Sequence, residues 1–507
     1  MSRAVIQPFE EYQKARTAFV QTIAELATRP QNIEALHSAG VMSLLRPLLS
    51  DSVPSIQQSS ALAIGRLANH NEELAESVKE NDILSQLILS LSNQNRFFKK
   101  AACFVLRAVA KHSPQLADDV VKAGALEPLV KCLEEFDASV KESSAWALGY
   151  IAKHNHSLAH QVVEARAVER LIQCLHEPEI SLKRAAALTL SYICQHTEQL
   201  AQQVAENGLE MIIQFLTYND TQLKRNICML LGNITKHSLD LANLVVSRLQ
   251  GNCKKLLDCL KDNDITVKKN AAYCICQIVN KSQENARLII NNGGSPMLVE
   301  FITNVKGEPR LYGILTLGFI AAFDSELAFG VIKAKAINQL KEALQTEPLS
   351  HIKAAACYAL GHIGRHSNVH AKEVAEANVL SLMLYHYMTP ESNDDLKDKA
   401  KKALKKIIDN CSNLEYLETL LQVAPEKILK HLLNQYTKFL KTSPVDKKRF
   451  VKNGGLQKLQ ELKAKVSEPL KEKIDEINSN YSDEIVKFYS PDYATQLLSK
   501  IENYNPD

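Results

Sequence analysis

Three histidines stand four residues apart at His362, His366 and His370. On one continuous helix they would share a face and offer zinc ligands. His154, His156 and His160 pose the same question. A plainer reading competes with it: His366 ends a recurring helix, where a ring able to take a proton suits the negative end of the helix dipole. A turn should follow directly, and no fourth ligand is organised nearby, so no metal and no cofactor is expected. Catalytic and nucleotide signatures are absent too, among them a P-loop, a Gly-rich dinucleotide fingerprint, HExxH, a nucleophile elbow and an EF-hand loop. The chain reads as a non-enzyme.

The basic residues form a more orderly pattern. Lys99, Lys141, Lys183, Lys224, Lys268, Arg310 and Lys353 occupy one position in seven successive units, and a second base follows at Lys100, Arg184, Arg225 and Lys269. Each opens a helix, where a cation opposes the dipole, so local stability does not explain the choice. Two readings stay open. The row is a ladder facing an extended acidic ligand, or each cation pairs with an acid of a neighbouring unit, such as Glu134, Glu135, Glu177 or Asp262, and joins the stack. Lys397, Lys399, Lys401, Lys402, Lys405 and Lys406, diluted by Asp394, Asp395 and Asp398, read as the solvated face of a capping helix.

What positions these residues is one helix written many times. IQQSSALAIGRLANHN (Ile56 on), FKKAACFVLRAVAKHS (Phe98 on), VKESSAWALGYIAKHN (Val140 on), LKRAAALTLSYICQHT (Leu182 on), LKRNICMLLGNITKHS (Leu223 on) and IKAAACYALGHIGRHS (Ile352 on) are its clear copies. VKKNAAYCICQIVNKS (Val267 on) and PRLYGILTLGFIAAFD (Pro309 on) are weaker ones. The closing residues His70, His112, His154, His196, His237, Lys281, Phe323 and His366 are separated by 42, 42, 42, 41, 44, 42 and 43 residues. A turn landmark keeps the same register at Gly40, Gly124, Gly208, Gly251 and Gly294, with Asp82 and Arg166 standing in between.

One unit runs from Ser113 to His154: a short helix with a Ser-Pro start, a turn at Gly124, a second helix over ALEPLVKCLEE and a third over VKESSAWALGYIAKH. Ala145 and Gly149 leave one face of the third helix small enough for close packing. Three helices in about 42 residues is the armadillo pattern. The expected fold is an all-α, right-handed superhelical solenoid whose third helices line a concave groove. Residues 1–30 read as an N-terminal cap, with Lys14 to Pro30 as an isolated third helix, 31–411 as the array and 412–507 as a helical cap with an aromatic-rich tail.

Composition bounds the rest. With 46% hydrophobic and 23% charged residues the chain is ordinary for a folded protein, and 60 basic against 57 acidic residues, a net of +3, give no drive toward nucleic acid or membrane. The start, MSRAVIQPFEEYQKAR, has no apolar core of a signal peptide, and no run of about 18 apolar residues suggests a membrane span. Eleven cysteines, set singly in helical runs or without CxxC spacing, read as structural thiols of a cytoplasmic or nuclear protein.

The opening EYQKARTAFVQTIAELATRPQNIEAL, the segment NRFFKKAACFVLRAVAKHSPQLAD, IKAAACYALGHIGRHS and the tail EIVKFYSPDYATQLL together resemble the sperm-associated antigen 6 family, armadillo proteins of the central apparatus of motile cilia and flagella. The pattern departs from type mainly near Asn243 to Phe329, where HS gives way to KS and FD. The resemblance implies a structural scaffold of the axoneme on the C1 microtubule of the central pair, supporting central-apparatus stability and motility. It also implies central-pair proteins, tubulin and further copies of the chain as partners. The rival is a soluble adaptor. An importin-like carrier would repeat Trp and Asn one turn apart, whereas this chain has only Trp146, followed by Tyr150; a carrier for an extended acidic peptide fits the basic row better.

Overall fold

The computed structural model describes residues 3–92, 94–249 and 253–502, and every regular element among them is helical. The chain divides into two compact units, Met1–Gly251 and Asn252–Asp507. Each is a solenoid of helices, because a single repeat cannot bury its apolar stripe without a neighbour.

In the first unit the third helices are Pro54–Ala68, Arg96–Ala110, Ala138–Lys153, Ile180–Cys194 and Thr221–Thr235. Each packs against the next. The helix Arg3–Leu26 lies against the first of them and begins well before Lys14. The Ser113-to-His154 repeat is realised as Pro114–Lys122, Leu126–Cys132 and Ala138–Lys153. Ser113 caps the first helix by accepting from the Leu116 N–H, and Asp137 caps the third by accepting from the Ser139 N–H. The turn between first and second helices needs a positive φ. It is taken by Gly40 at 69° and Gly124 at 88°, and by Asp82 at 53° and Arg166 at 65° despite their side chains.

Gly208 differs from the expectation. It sits inside one continuous helix, Glu198–Gln214, which merges the first two helices of its repeat. A Cβ there would lie 2.9 Å from the Ile172 side chain, so this glycine serves close packing and makes no turn. Gly251 lies outside the described residues.

The third helices meet closely. A Cβ on Gly149 would come within 2.5 Å of Thr189 Oγ1, and that hydroxyl donates to the Ala145 carbonyl at 2.7 Å. The recurring histidine then joins consecutive third helices. His112 Nε2 lies 2.8 Å from the Ala68 oxygen, His154 2.6 Å from Ala110, His196 2.8 Å from Ala152 and His237 2.7 Å from Cys194. A carbonyl can only accept, so in each case the ring donates. The histidine therefore satisfies a helix-end carbonyl that has no partner within its own helix.

In the second unit the corresponding helices are Ile265–Val279, Leu311–Phe323, Ser350–Gly364 and Asp394–Ile408, followed by Glu426–Thr442 and Glu468–Asn478. His366 Nε2 reaches the Ala321 oxygen at 2.6 Å. Positive φ occurs at Gly293, Gly307, Lys335, Asn378 and Gly454. The landmark read at Gly294 is thus one residue late: Gly293 makes the turn at 79°, and Gly294 opens the helix where the Ile289 oxygen, 2.7 Å from a built Cβ, leaves no room for a side chain. Near the tail, the Tyr481 hydroxyl donates to the Lys447 carbonyl at 3.4 Å, and Phe488, Tyr489 and Tyr493 line a shallow cleft with Val451.

Candidate functional site

Metal chemistry finds no support in the geometry. The helix Ser350–Gly364 ends before His366, and the three histidines turn to different partners: His366 to Ala321, His370 to the Ser325 oxygen at 2.9 Å, and His362 to Lys406 at 3.2 Å. Among the described residues no group of three His, Cys, Asp or Glu side chains could hold a metal ion. All eleven cysteines are buried, and burial pushes the Cys276 and Cys357 thiols up to about 12, far from a reactive thiolate.

The basic row divides. Its first members reach forward one repeat. Lys99 pairs with Glu135 and Lys141 with Glu177, both at 2.5 Å and 36 residues apart, and Arg184 makes the same reach, its Nε 3.0 Å from Asp220. Asp220 also caps its own helix by accepting from the Leu223 N–H, and the Arg184 guanidinium holds its carboxyl below the usual range. Lys183 is buried, donates to the Leu175 carbonyl at 2.6 Å and lies 5.0 Å from the Phe215 ring centre. Arg310 is completely buried, 3.0 Å from Glu347 and paired with Glu342. Arg225 donates to Gln222, and Lys224 is likewise engaged. Lys100 is exposed and Lys268, Lys269 and Lys353 are half-buried, and none of the four has a hydrogen bond or ion pair among the described residues.

Around Lys100 the third helices form a cleft of about 630 Å³ whose lining includes Arg66, Phe97, Phe104, Arg107 and Trp146. Phe97 is exposed, while Phe104 and Trp146 are half-buried. The Arg107 guanidinium stacks 5.1 Å from the Phe104 ring centre; burial lowers its pKa, and its Nε has no partner. Glu142 is the carboxylate in the lining. The aromatic surface continues through Tyr150, stacked on Trp146, to Tyr192, with Lys153 5.7 Å from both tyrosine rings.

Sequence reading overlooked this aromatic row, although a signal was present. Eight residues before each closing landmark stand Leu62, Phe104, Trp146, Leu188, Met229, Tyr273, Leu315 and Tyr358, all of them large. Large residues at helical spacing are in general more often core than contact surface. Phe104, Trp146, Tyr273 and Tyr358 nevertheless keep part of a ring face in solvent.

Interlocked third helices, glycine or αL turns and a cleft on the third-helix face define an armadillo-repeat protein. The armadillo/β-catenin-like repeat model matches residues 113–153 and 155–195, and the HEAT repeat model matches 253–282. The chain belongs to the sperm-associated antigen 6 family. It is 52% identical to mouse (Mus musculus) sperm-associated antigen 6 and 51% to the human (Homo sapiens) protein, in each case over 99% of both chains. An engineered protein of known crystal structure shares the fold with a TM-score of 0.71 at 23% identity, covering 77% of this chain and 94% of that one.

Proposed function

We propose that the protein is a non-enzymatic scaffold of the axoneme, placed on the C1 microtubule of the central pair, where it joins central-pair proteins and supports ciliary or flagellar motility. The observation that carries this reading is similarity over 99% of the chain to relatives named sperm-associated antigen 6, which includes the non-repeat ends. Repeats tied to one another by histidine–carbonyl bonds and cross-repeat ion pairs suit a load-bearing spacer with partner surfaces along its length. In this reading residues 1–30 and 412–507 cap the array, and copies of the chain neighbour one another along the microtubule.

The test is high-salt fractionation of axonemes from a ciliated cell that carries the tagged protein, with imaging of the central pair after its depletion. Retention with the axoneme and loss of central-pair structure are expected. Release with the cytosolic fraction and an intact central pair would show the proposal to be wrong about place.

A second reading rests on the cleft: a soluble adaptor that holds an extended acidic peptide on the third-helix face. Under either reading the acidic ligand, tubulin tails included, meets the ladder members that form no ion pair among the described residues. Reversing Lys100, Lys268, Lys269 and Lys353 to Glu therefore weakens microtubule co-sedimentation, most strongly at low salt. Unchanged co-sedimentation would remove the ladder as a microtubule contact.

A further inference from the structure

The cations of the helix Asp394–Ile408 are held differently from those that open the earlier third helices. Half-buried Lys99, Lys141 and Arg184 each find an acid in the next repeat. Here Lys399, Lys402 and Lys406, at i, i+3 and i+7, share one helical face. They line a cleft of about 90 Å³ with Cys357, Tyr358, Gly361 and His362. The helices close tightly beneath it: a Cβ on Gly361 would meet the Ala403 backbone at 2.8 Å. Asp398 is the carboxylate in contact with these lysines, and it pairs with Lys402 along the exposed side at 2.7 Å.

Lys399 is half-buried over the Tyr358 ring, 5.7 Å from its centre, and among the described residues Lys406 has an imidazole as its one acceptor, its Nζ 3.2 Å from His362 Nε2. Because Nε2 accepts, the ring is neutral and its proton is on Nδ1. That Nδ1 is buried and unpartnered. Half-buried ammonium groups crowded on a neutral ring, with Asp398 on the exposed side as their nearby carboxylate, are an unfavourable arrangement unless a further anion completes it.

We propose that this cleft binds a phosphoryl group, with Lys399, Lys402 and Lys406 holding its oxygens and His362 forming the inner wall. A phosphoryl dianion offers three terminal oxygens, one for each ammonium, and up to two charges, whereas a carboxylate offers two oxygens and one charge. Free phosphate and a phosphorylated side chain share that chemistry. The site lies outside the basic ladder and does not depend on where in the cell the protein works.

Binding carries a proton with it. Burial and then the fields of Lys406, Arg365, His366 and Lys399 hold His362 neutral, at a pKa of about 3. Facing it are Tyr358 and Cys357 on its own helix and Lys399, Lys402 and Lys406 on the next. The preceding helix brings Gly318 and Phe319 against Tyr358, carbon where charge would otherwise act. A bound anion offsets the lysine field, so the ring gains a proton and donates through Nε2.

Inorganic phosphate is titrated into the full chain at constant ionic strength, balanced with chloride, near the histidine reference pKa of about 6.5. Melting temperature and the ¹³Cε1 signals of labelled histidines are followed. A saturable rise in melting temperature and movement of the His362 signal toward its protonated position are expected. The Lys399→Gln/Lys406→Gln variant retains a donor at each position and relieves repulsion, so it folds, and it should bind phosphate about tenfold more weakly or worse. A phosphoserine peptide and its unphosphorylated parent separate the sources. Tighter binding of the phosphopeptide than of phosphate assigns a phosphorylated segment, and equal binding assigns the free anion. A response no greater than that to chloride, or one unchanged in the double variant, overturns the proposal.

Discussion

Replacing Arg310 with Met lowers the stability of the C-terminal unit by about 3–5 kcal/mol, the usual cost of removing one partner from a buried ion pair. Arg310 has no exposed surface and Glu347 retains 3%. Without the guanidinium, Glu347 keeps only the Gly307 N–H, at 3.2 and 3.3 Å from its two oxygens, and becomes a buried charge without a counter-ion. Glu342 is less affected. Burial pushes its carboxyl up, but Lys306 and Arg310 together hold it at about 2, and the Lys306 contact at 2.5 Å survives the substitution. Adding Glu347→Leu removes the stranded charge and should return much of the loss, because a buried pair replaced as a whole by apolar groups is often close to neutral. Urea unfolding of the two variants decides the matter. A single variant as stable as the parent would mean that the pair contributes nothing beyond packing.

Mild acid weakens the array before its carboxylates begin to titrate. Burial, as the largest cause, lowers the pKa of His112, His196, His362, His366 and His386. Their unfolded value is about 6.5. Below that pH the unfolded chain binds protons that the folded chain refuses, so the stabilisation is complete above about 6.5 and is lost as pH falls through the folded values, His362 titrating last at about 3. Asp137, Asp220, Asp324 and Glu342 are held below their ordinary values and add their own losses only below about pH 4.5. Melting temperature should therefore fall steadily from pH 7 to pH 5, with a shallower slope in a His112→Gln/His196→Gln variant. A flat profile across that window in the parent would exclude the histidines as the cause.

The repeat, the third helices and the turn register were legible in the sequence because each is a local pattern copied many times. Asp82 and Arg166 could be recognised as turn residues only through their place in that register, since neither residue type announces a positive φ. Gly208 misled for the opposite reason: a glycine required by the nearby Ile172 side chain looks the same as one required by a turn. Lys335 and Asn378 also take positive φ, and no glycine marked them. The basic row was legible as a row but not in its purpose. Lys141 and Glu177 are 36 residues apart, and only the folded repeat decides whether such a cation faces a ligand or the neighbouring unit. The lysines of the helix Asp394–Ile408 read as a solvated face because His362, the acceptor of Lys406, belongs to a different helix.

The histidine bond also defines what the array can tolerate. In each of these joints the acceptor lies two residues before the preceding landmark: Ala68 before His70, Ala110 before His112, Ala152 before His154, Cys194 before His196 and Ala321 before Phe323. The spacing of those landmarks nevertheless varies from 41 to 43 residues. Loops absorb the difference while the joint between third helices stays fixed, as a tongue-and-groove board keeps its edge whatever its width. Short insertions and deletions are thereby confined to the connections, and a whole unit can be duplicated or lost without leaving a buried carbonyl unmatched.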